Sequence, residues 1–263
     1  MTRINDAIYE IISLDTLANR NKWVNRIHPL IKLLVTLFYI IITVSFNRYD
    51  IIGLLAMIIY PILLFGIADL SLKDCLKRIF LVLPILIFMG ILNPFFDRTP
   101  VLYLGIQTTT GILSMITLIM KGSFCILASY ILVATTKIDD ICYSLSILHI
   151  PDIIITEFIL IYRYLSVLLI EVNRITQAYS LRAPNQKGIH FKVWGSLTGQ
   201  LLLRSMDKAN LVYESMTLRG YNTNYIYLKR KIKGIDWFYG IIWVLLFILF
   251  RRYPILLIAG GIL

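Results

Sequence analysis

From Gly111 to Ala134 the chain runs through apolar residues with one charged side chain among them, Lys121. A helix needs about 20 such residues to cross the hydrocarbon core of a bilayer. Four other runs have the same character. They are Leu30 to Phe46, with Lys32 at its foot where a long side chain can snorkel; Ile51 to Ile67; Ile79 to Leu92, with a kink expected at Pro84; and a last run from near Ile235, interrupted by Arg251 and Arg252. Lipid offers the backbone no hydrogen-bond partner, so these runs must be helices. With 58% hydrophobic residues and a mean hydropathy of +0.77, a soluble domain is excluded. The expected fold is an all-α integral membrane protein with about five transmembrane helices.

Charge placement sets the orientation. Arg3, Arg20, Lys22 and Arg26 precede the first run, and Lys73, Lys77 and Arg78 follow the second. The other two loops offer Arg48 and Arg98 alone, so the positive-inside rule puts the N-terminus and the 68–78 loop in the cytoplasm. The stretch from Thr135 to Asp236 then stays cytoplasmic and holds half of the 26 Lys and Arg. Arg251 and Arg252 mark either the outer end of the last span or the start of an apolar hook from Tyr253. The polar residues 1–28 lack the apolar core and small-residue site of a cleavable leader. Three regions follow: 1–134 with the N-terminal segment and first four spans, 135–236 as a module of long cytoplasmic helices, and 237–263 as the last span.

The module carries the most information. A short helix is expected over Ile138 to His149, ended by Pro151. From Asp152, a good N-cap, the chain reaches Arg182 without Pro or Gly; Ile153 to Ile161 are apolar nearly all round, and Glu171, Arg174 and Gln177 then share one face. A second helix from Val193 to Arg219 carries Arg204, Asp207, Lys208 and Glu214 on a polar stripe. Both helices close on the same small pattern. The first is Leu181-Arg182-Ala183 before Pro184, and the second is Leu218-Arg219-Gly220. Each places an arginine in the last turn just ahead of a helix stop, where its planar fork can grip a carboxylate on another protein.

The remaining residues exclude much. Cys75, Cys125 and Cys142 are scattered, as are His28, His149 and His190, so no metal site is expected. No phosphate-binding glycine loop, zinc-protease helix or nucleophile elbow occurs. The chain is therefore expected to be non-catalytic and to bind no cofactor itself. Positive-inside loops and lipid headgroups account for the net charge of +11 without nucleic acid. Glu171 with Arg174, and Asp207 with Lys208, read as surface or intra-domain pairs. Lys121, inside an apolar run, is a candidate intramembrane functional residue, with a place at a bundle interior or interface, satisfied by carbonyls or a carboxylate, as the plainer alternative.

The segment from Arg163-Tyr164-Leu165 through Glu171, Arg174, Gln177 and Arg182, then Leu203-Arg204 and Tyr213 to Tyr221, resembles the transmembrane T component of energy-coupling factor transporters. The cobalt- and nickel-associated CbiQ-like branch is the most similar. The opening His28-Pro29-Leu30-Ile31-Lys32 and the pair Thr135-Thr136 are similar too, and the likeness covers roughly 25–222. The family's Ala-Arg-Gly signature is changed at both flanks of Arg182 and at the first flank of Arg219. The resemblance implies a multi-pass scaffold of a prokaryotic cytoplasmic membrane, joining two ABC-type ATPase subunits, which carry the ATP and Mg, to a separate membrane-embedded substrate-binding subunit. It also implies that Arg182 and Arg219, with Leu181, Ala183, Leu218 and Gly220, enter the ATPase grooves as coupling contacts.

Three other readings stay open. The scaffold could serve a vitamin-type subunit. An intramembrane lipid- or prenyl-modifying enzyme would need clustered carboxylates, and Asp69, Asp74, Asp139 and Asp140 are dispersed. A stand-alone permease would need broken, polar mid-membrane helices, towards which Lys121 and Pro84 alone point.

Overall fold

The computed structural model describes residues 9, 13, 15–20, 22–97, 99–103, 106–184, 188–221 and 231–253. Helices make up nearly all of it: α1 (Trp23–Arg26), α2 (Pro29–Ser45), α3 (Ile51–Ala56), α4 (Ile59–Ala68), α5 (Leu72–Gly90), α6 (Asn93–Phe96), α7 (Thr110–Thr135), α8 (Ile138–Ile147), α9 (Asp152–Arg182), α10 (Phe191–Leu218) and α11 (Gly234–Arg252). A small antiparallel hairpin, β1 (Pro100–Tyr103) with β2 (Ile106–Thr109), separates α6 from α7 and pairs Pro100 with Thr109. Nothing in the hydropathy pattern announces these four-residue strands. The chain falls into two units, one comprising Thr16–Ile141 with Arg230–Leu263 and the other Met1–Asp15 with Cys142–Lys229.

Among the described residues, five helical stretches are long and apolar enough to cross a membrane: Ile51–Ala68, Asp74–Phe96, Thr110–Thr135, Asp152–Arg182 and Gly234–Arg252. The number agrees with the sequence expectation and the membership does not. α2 has 17 residues, or about 25 Å of rise, and falls short of a typical hydrocarbon core. α9, expected in the cytoplasmic module, qualifies because its first half is largely apolar. The third span, expected to be short, extends to 23 residues because α5 continues through Pro84 and a turn joins it to α6. The final run is helical to Arg252, and the tail from 254 onward lies outside the described residues.

In the larger unit α7 packs against α2, α4, α5 and α6, and α11 packs on α2. The core between α2, α4 and α11 is aromatic. The Tyr39 ring lies 4.6 Å from Tyr60 and 5.2 Å from Phe247, and Trp243 meets Tyr60 edge-on at 4.7 Å. Such pairs contribute about 0.5–1.5 kcal/mol beyond area burial. Between α3 and α4 the helix breaks at Met57 and Ile58. Pro61 has no N–H to offer the Met57 carbonyl four residues back, and the buried Tyr39 hydroxyl donates to that carbonyl at 3.0 Å.

At one end of the unit, Lys32 is 4% exposed and donates to the Thr135 carbonyl at 2.9 Å and the Thr136 hydroxyl at 3.4 Å. It does not snorkel to headgroups as its position suggests. The last carbonyls of α7 lack helical donors, and the ammonium supplies one. Beside it, the buried Asp236 carboxylate accepts the backbone N–H of His28 at 3.2 Å and of Lys233 at 2.8 Å, which ties the starts of α2 and α11. Between α4 and α5, Asp69 takes a left-handed backbone, and the Lys22 ammonium at 2.7 Å holds its carboxyl below the usual range. Beyond α6, hydrogen bonds from Thr110, Thr99 and Tyr49 likewise hold Asp97 low. Gly111 sits so close to this turn that a Cβ would lie 2.5 Å from Pro94 Cα and 2.6 Å from the Asn93 carbonyl oxygen.

Candidate functional site

The two helix endings singled out in the sequence both belong to the smaller unit. Arg182 is the last residue of α9 and is exposed, as is the neighbouring Leu181 at 82%. The helix stops at Ala183, whose N–H still donates to the Tyr179 carbonyl at 3.0 Å while its backbone leaves the helical region ahead of Pro184. Leu218 closes α10 at 89% exposure, and Arg219 is its exposed C-cap. Gly220 follows with φ +75°, its N–H donating to the Thr217 carbonyl while that of Tyr221 reaches Met216, both at 3.0 Å. This is a Schellman ending, which a Cβ at position 220 would strain.

The two endings share an exposed leucine–arginine pair but not a backbone geometry. Only the second has the left-handed stop. A large apolar side chain exposed beside an arginine on a rigid helix end suits a partner's groove better than solvent.

Cross-helix bonds show how α9 and α10 are arranged. Near the middle of α9 the Glu171 carboxylate, with its side chain 6% exposed, accepts from Arg204 and from Lys208 at 3.3 Å, and Arg174 approaches at 3.8 Å. Towards the start of α9, Thr156 accepts from the Tyr221 hydroxyl at 3.0 Å. Rising numbers on α9 thus meet falling numbers on α10, and the pair is antiparallel. Arg219 shares a 350 Å³ cavity with Thr156, Leu160, Arg163 and Tyr164, whereas Arg182 lies at the far end of α9. At 1.5 Å per residue, the two arginines stand roughly 30 Å apart.

Of the two roles expected for Glu171 with Arg174, a surface or an intra-domain pair, the structure has the intra-domain one and adds two partners from α10. Glu171 is a buried carboxylate shared by three cations, and Lys208 turns to it and not to Asp207. Burying it is tolerable only because it is paired. The pairing partners lie 33 and 37 residues away, so no local pattern reveals them. Arg163 beside Arg219 is likewise a tertiary neighbour, although it falls within the segment that carries the family resemblance.

Lys121 belongs to the larger unit. Its ammonium donates to the Val44 carbonyl at 3.0 Å and the Phe46 carbonyl at 2.5 Å, while the Arg251 guanidinium donates to Ser45 at 2.9 Å and stacks 4.7 Å over the Phe46 ring. Two cations thus cap the C-terminus of the short helix α2, whose orphaned carbonyls would otherwise meet hydrocarbon. Backbone carbonyls thus satisfy the Lys121 ammonium. Among the described residues no three His, Cys, Asp or Glu side chains come together in a way that could hold a metal ion.

The chain is 26% identical over 218 residues to an uncharacterized protein of Methanocaldococcus jannaschii, covering 76% of this chain and 74% of that one. It is 30% identical over 92 residues to the nickel permease LarQ of Lactiplantibacillus plantarum, covering 35% of this chain and 34% of that one. The model of the CbiQ family, described as cobalt transport protein, matches residues 20–228. With that match over most of its length and its membrane-length apolar helices, the chain is a multi-pass membrane protein that belongs to the CbiQ family of transport components.

Proposed function

We propose that this chain is the coupling scaffold of an energy-coupling factor importer, carrying motion from two ATPase subunits to a separate substrate-binding membrane subunit. The observation that carries this reading is the pair of exposed leucine–arginine ends, Arg182 and Arg219, at opposite ends of an antiparallel helix pair pinned by Glu171. Each end offers one guanidinium and one apolar knob, Leu181 or Leu218, to one ATPase, and a carboxylate in each ATPase groove completes the contact.

The charges on α9 and α10 favour a pair lying at the cytoplasmic face, with apolar sides turned to the membrane and its proteins. Ile153, Phe158 and Ile161 on α9 and Leu202, Leu203 and Met206 on α10 are all exposed and supply such a side for the substrate-binding subunit. The positive-inside asymmetry puts the N-terminus in the cytoplasm of a prokaryotic cell and the spans in its cytoplasmic membrane. ATP and Mg belong to the ATPases, and this chain moves without catalysing. A divalent transition metal, cobalt or nickel, is the favoured cargo, in keeping with the family description and the nickel permease relative.

Two measurements on the assembled complex test the reading. Arg182→Glu with Arg219→Glu should abolish co-purification of the ATPases and ATP-dependent uptake of radioactive cobalt or nickel, because a half-made buried pair costs about 3–5 kcal/mol. Assembly and uptake that survive the double reversal would overturn it. Substrate-stimulated uptake by this chain alone would favour a stand-alone permease instead.

A further inference from the structure

Where the larger unit's apolar helices end, it holds a cavity of 440 Å³. Thr135 closes α7 there, His28 precedes α2, and Lys233 precedes α11, so the cavity opens at the level where hydrocarbon gives way to headgroups. Its cations are Arg20, Arg26, Lys137, Lys231 and Lys233, facing the carboxylates of Asp140 and Asp236. Asp236 has both oxygens engaged by the backbone N–H groups of His28 and Lys233. Among the described residues, none of Arg26, Lys137, Lys231 and Lys233 has a carboxylate within ion-pair distance. The cavity is thus basic, with its one deep carboxylate already committed to the backbone.

We propose that this cavity binds the phosphate of an anionic membrane lipid. Guanidinium and ammonium donors converging on one opening match phosphate oxygens in charge and geometry. The volume exceeds what a bare phosphate fills and leaves room for the esterified glycerol. The acyl chains then follow the apolar helices that the opening borders. Asn25, which donates its amide to the Leu17 and Ala18 carbonyls at 3.1 Å, holds the wall that carries Arg20 and Arg26 in place. A lipid held here would brace the ends of α2, α7 and α11 together, an effect separate from any ATPase contact.

The test uses the full chain in detergent with phosphatidylcholine, to which dioleoylphosphatidylglycerol or inorganic phosphate is added at equal concentration. Retained lipid is counted by native mass spectrometry, and thermal melting is followed in parallel. Phosphatidylglycerol should be retained and raise the melting temperature, with phosphatidylcholine and inorganic phosphate doing neither. Lys231→Gln with Lys233→Gln should weaken retention roughly tenfold. The charge-keeping pair Lys231→Arg with Lys233→Arg should restore it, and Lys192→Gln, on α10, should leave it unchanged. Retention by the glutamine pair equal to that of the unaltered chain would overturn the proposal. Inorganic phosphate matching the lipid would replace lipid with a free phosphate species as the ligand. ATPase co-purification is scored separately on the Arg182 and Arg219 variants, so failure of one reading does not carry the other with it.

Discussion

The Tyr39 hydroxyl donates to the Met57 carbonyl, the one acceptor in its span whose helical donor Pro61 has removed. A proline is thereby accommodated inside an apolar run by a side chain from a different helix. Tyr39→Phe should cost about 1–2 kcal/mol, read as a lower melting temperature in detergent. Pro61→Ala restores an N–H at the right register, so the cost of Tyr39→Phe should shrink towards zero in that background. An unchanged cost there would mean that the hydroxyl contributes by packing alone.

Lys121 is expected to matter for folding and not for transport. Lys121→Met leaves the Val44 and Phe46 carbonyls without their cation and should destabilise the chain by about 1–3 kcal/mol, with Lys121→Arg milder. Uptake per folded molecule should match that of the unaltered protein. A variant that melts normally yet fails to transport would place Lys121 in the transport mechanism.

Four of the five membrane-length helices were legible in the sequence because hydrocarbon imposes a single requirement, sustained apolarity over a fixed length. The helix endings were legible for a comparable reason: Pro184 and Gly220 stop a helix by local sterics. What escaped depends on tertiary partners. Lys32 looks like a snorkelling residue until the end of α7 is placed beside it. Glu171 looks paired with Arg174 alone until Arg204 and Lys208 arrive from α10. Asp236 stands three residues after Lys233, an N-cap to N3 spacing that is readable in retrospect, yet its bond to the His28 N–H is not. The apolar first half of α9 satisfies both a membrane span and a helix-packing seam, so composition alone assigns it to neither.

Glu171→Gln keeps the shape of the side chain and removes the charge that Arg204, Lys208 and Arg174 share. Hydrogen exchange should rise along 165–180 and 200–212 while the helices of the larger unit exchange as before. The swap Glu171→Arg with Arg204→Glu should recover part of the protection. Unaltered exchange in Glu171→Gln would show that apolar packing, and not the ion cluster, joins α9 to α10.

Gly111→Ala should be felt directly, because its new methyl meets backbone atoms of Asn93, Pro94 and Asp97, which cannot rotate aside. The expected penalty is about 1–3 kcal/mol in thermal or denaturant unfolding. Gly66→Ala, a site with no atom within 4 Å of the added carbon, is the matched control and should be close to neutral.

The clamp at Glu171 does not divide its helix evenly. Towards Arg182 the arm of α9 is about 16 Å long, and towards Asp152 it is about 28 Å. A rigid rod turning about that pivot moves its long end almost twice as far as its short end. A small displacement imposed at Arg182 would therefore emerge at Asp152 as a larger one, with its force reduced in proportion. If α9 transmits motion as proposed, the placement of one carboxylate along it would set the gearing of the lever.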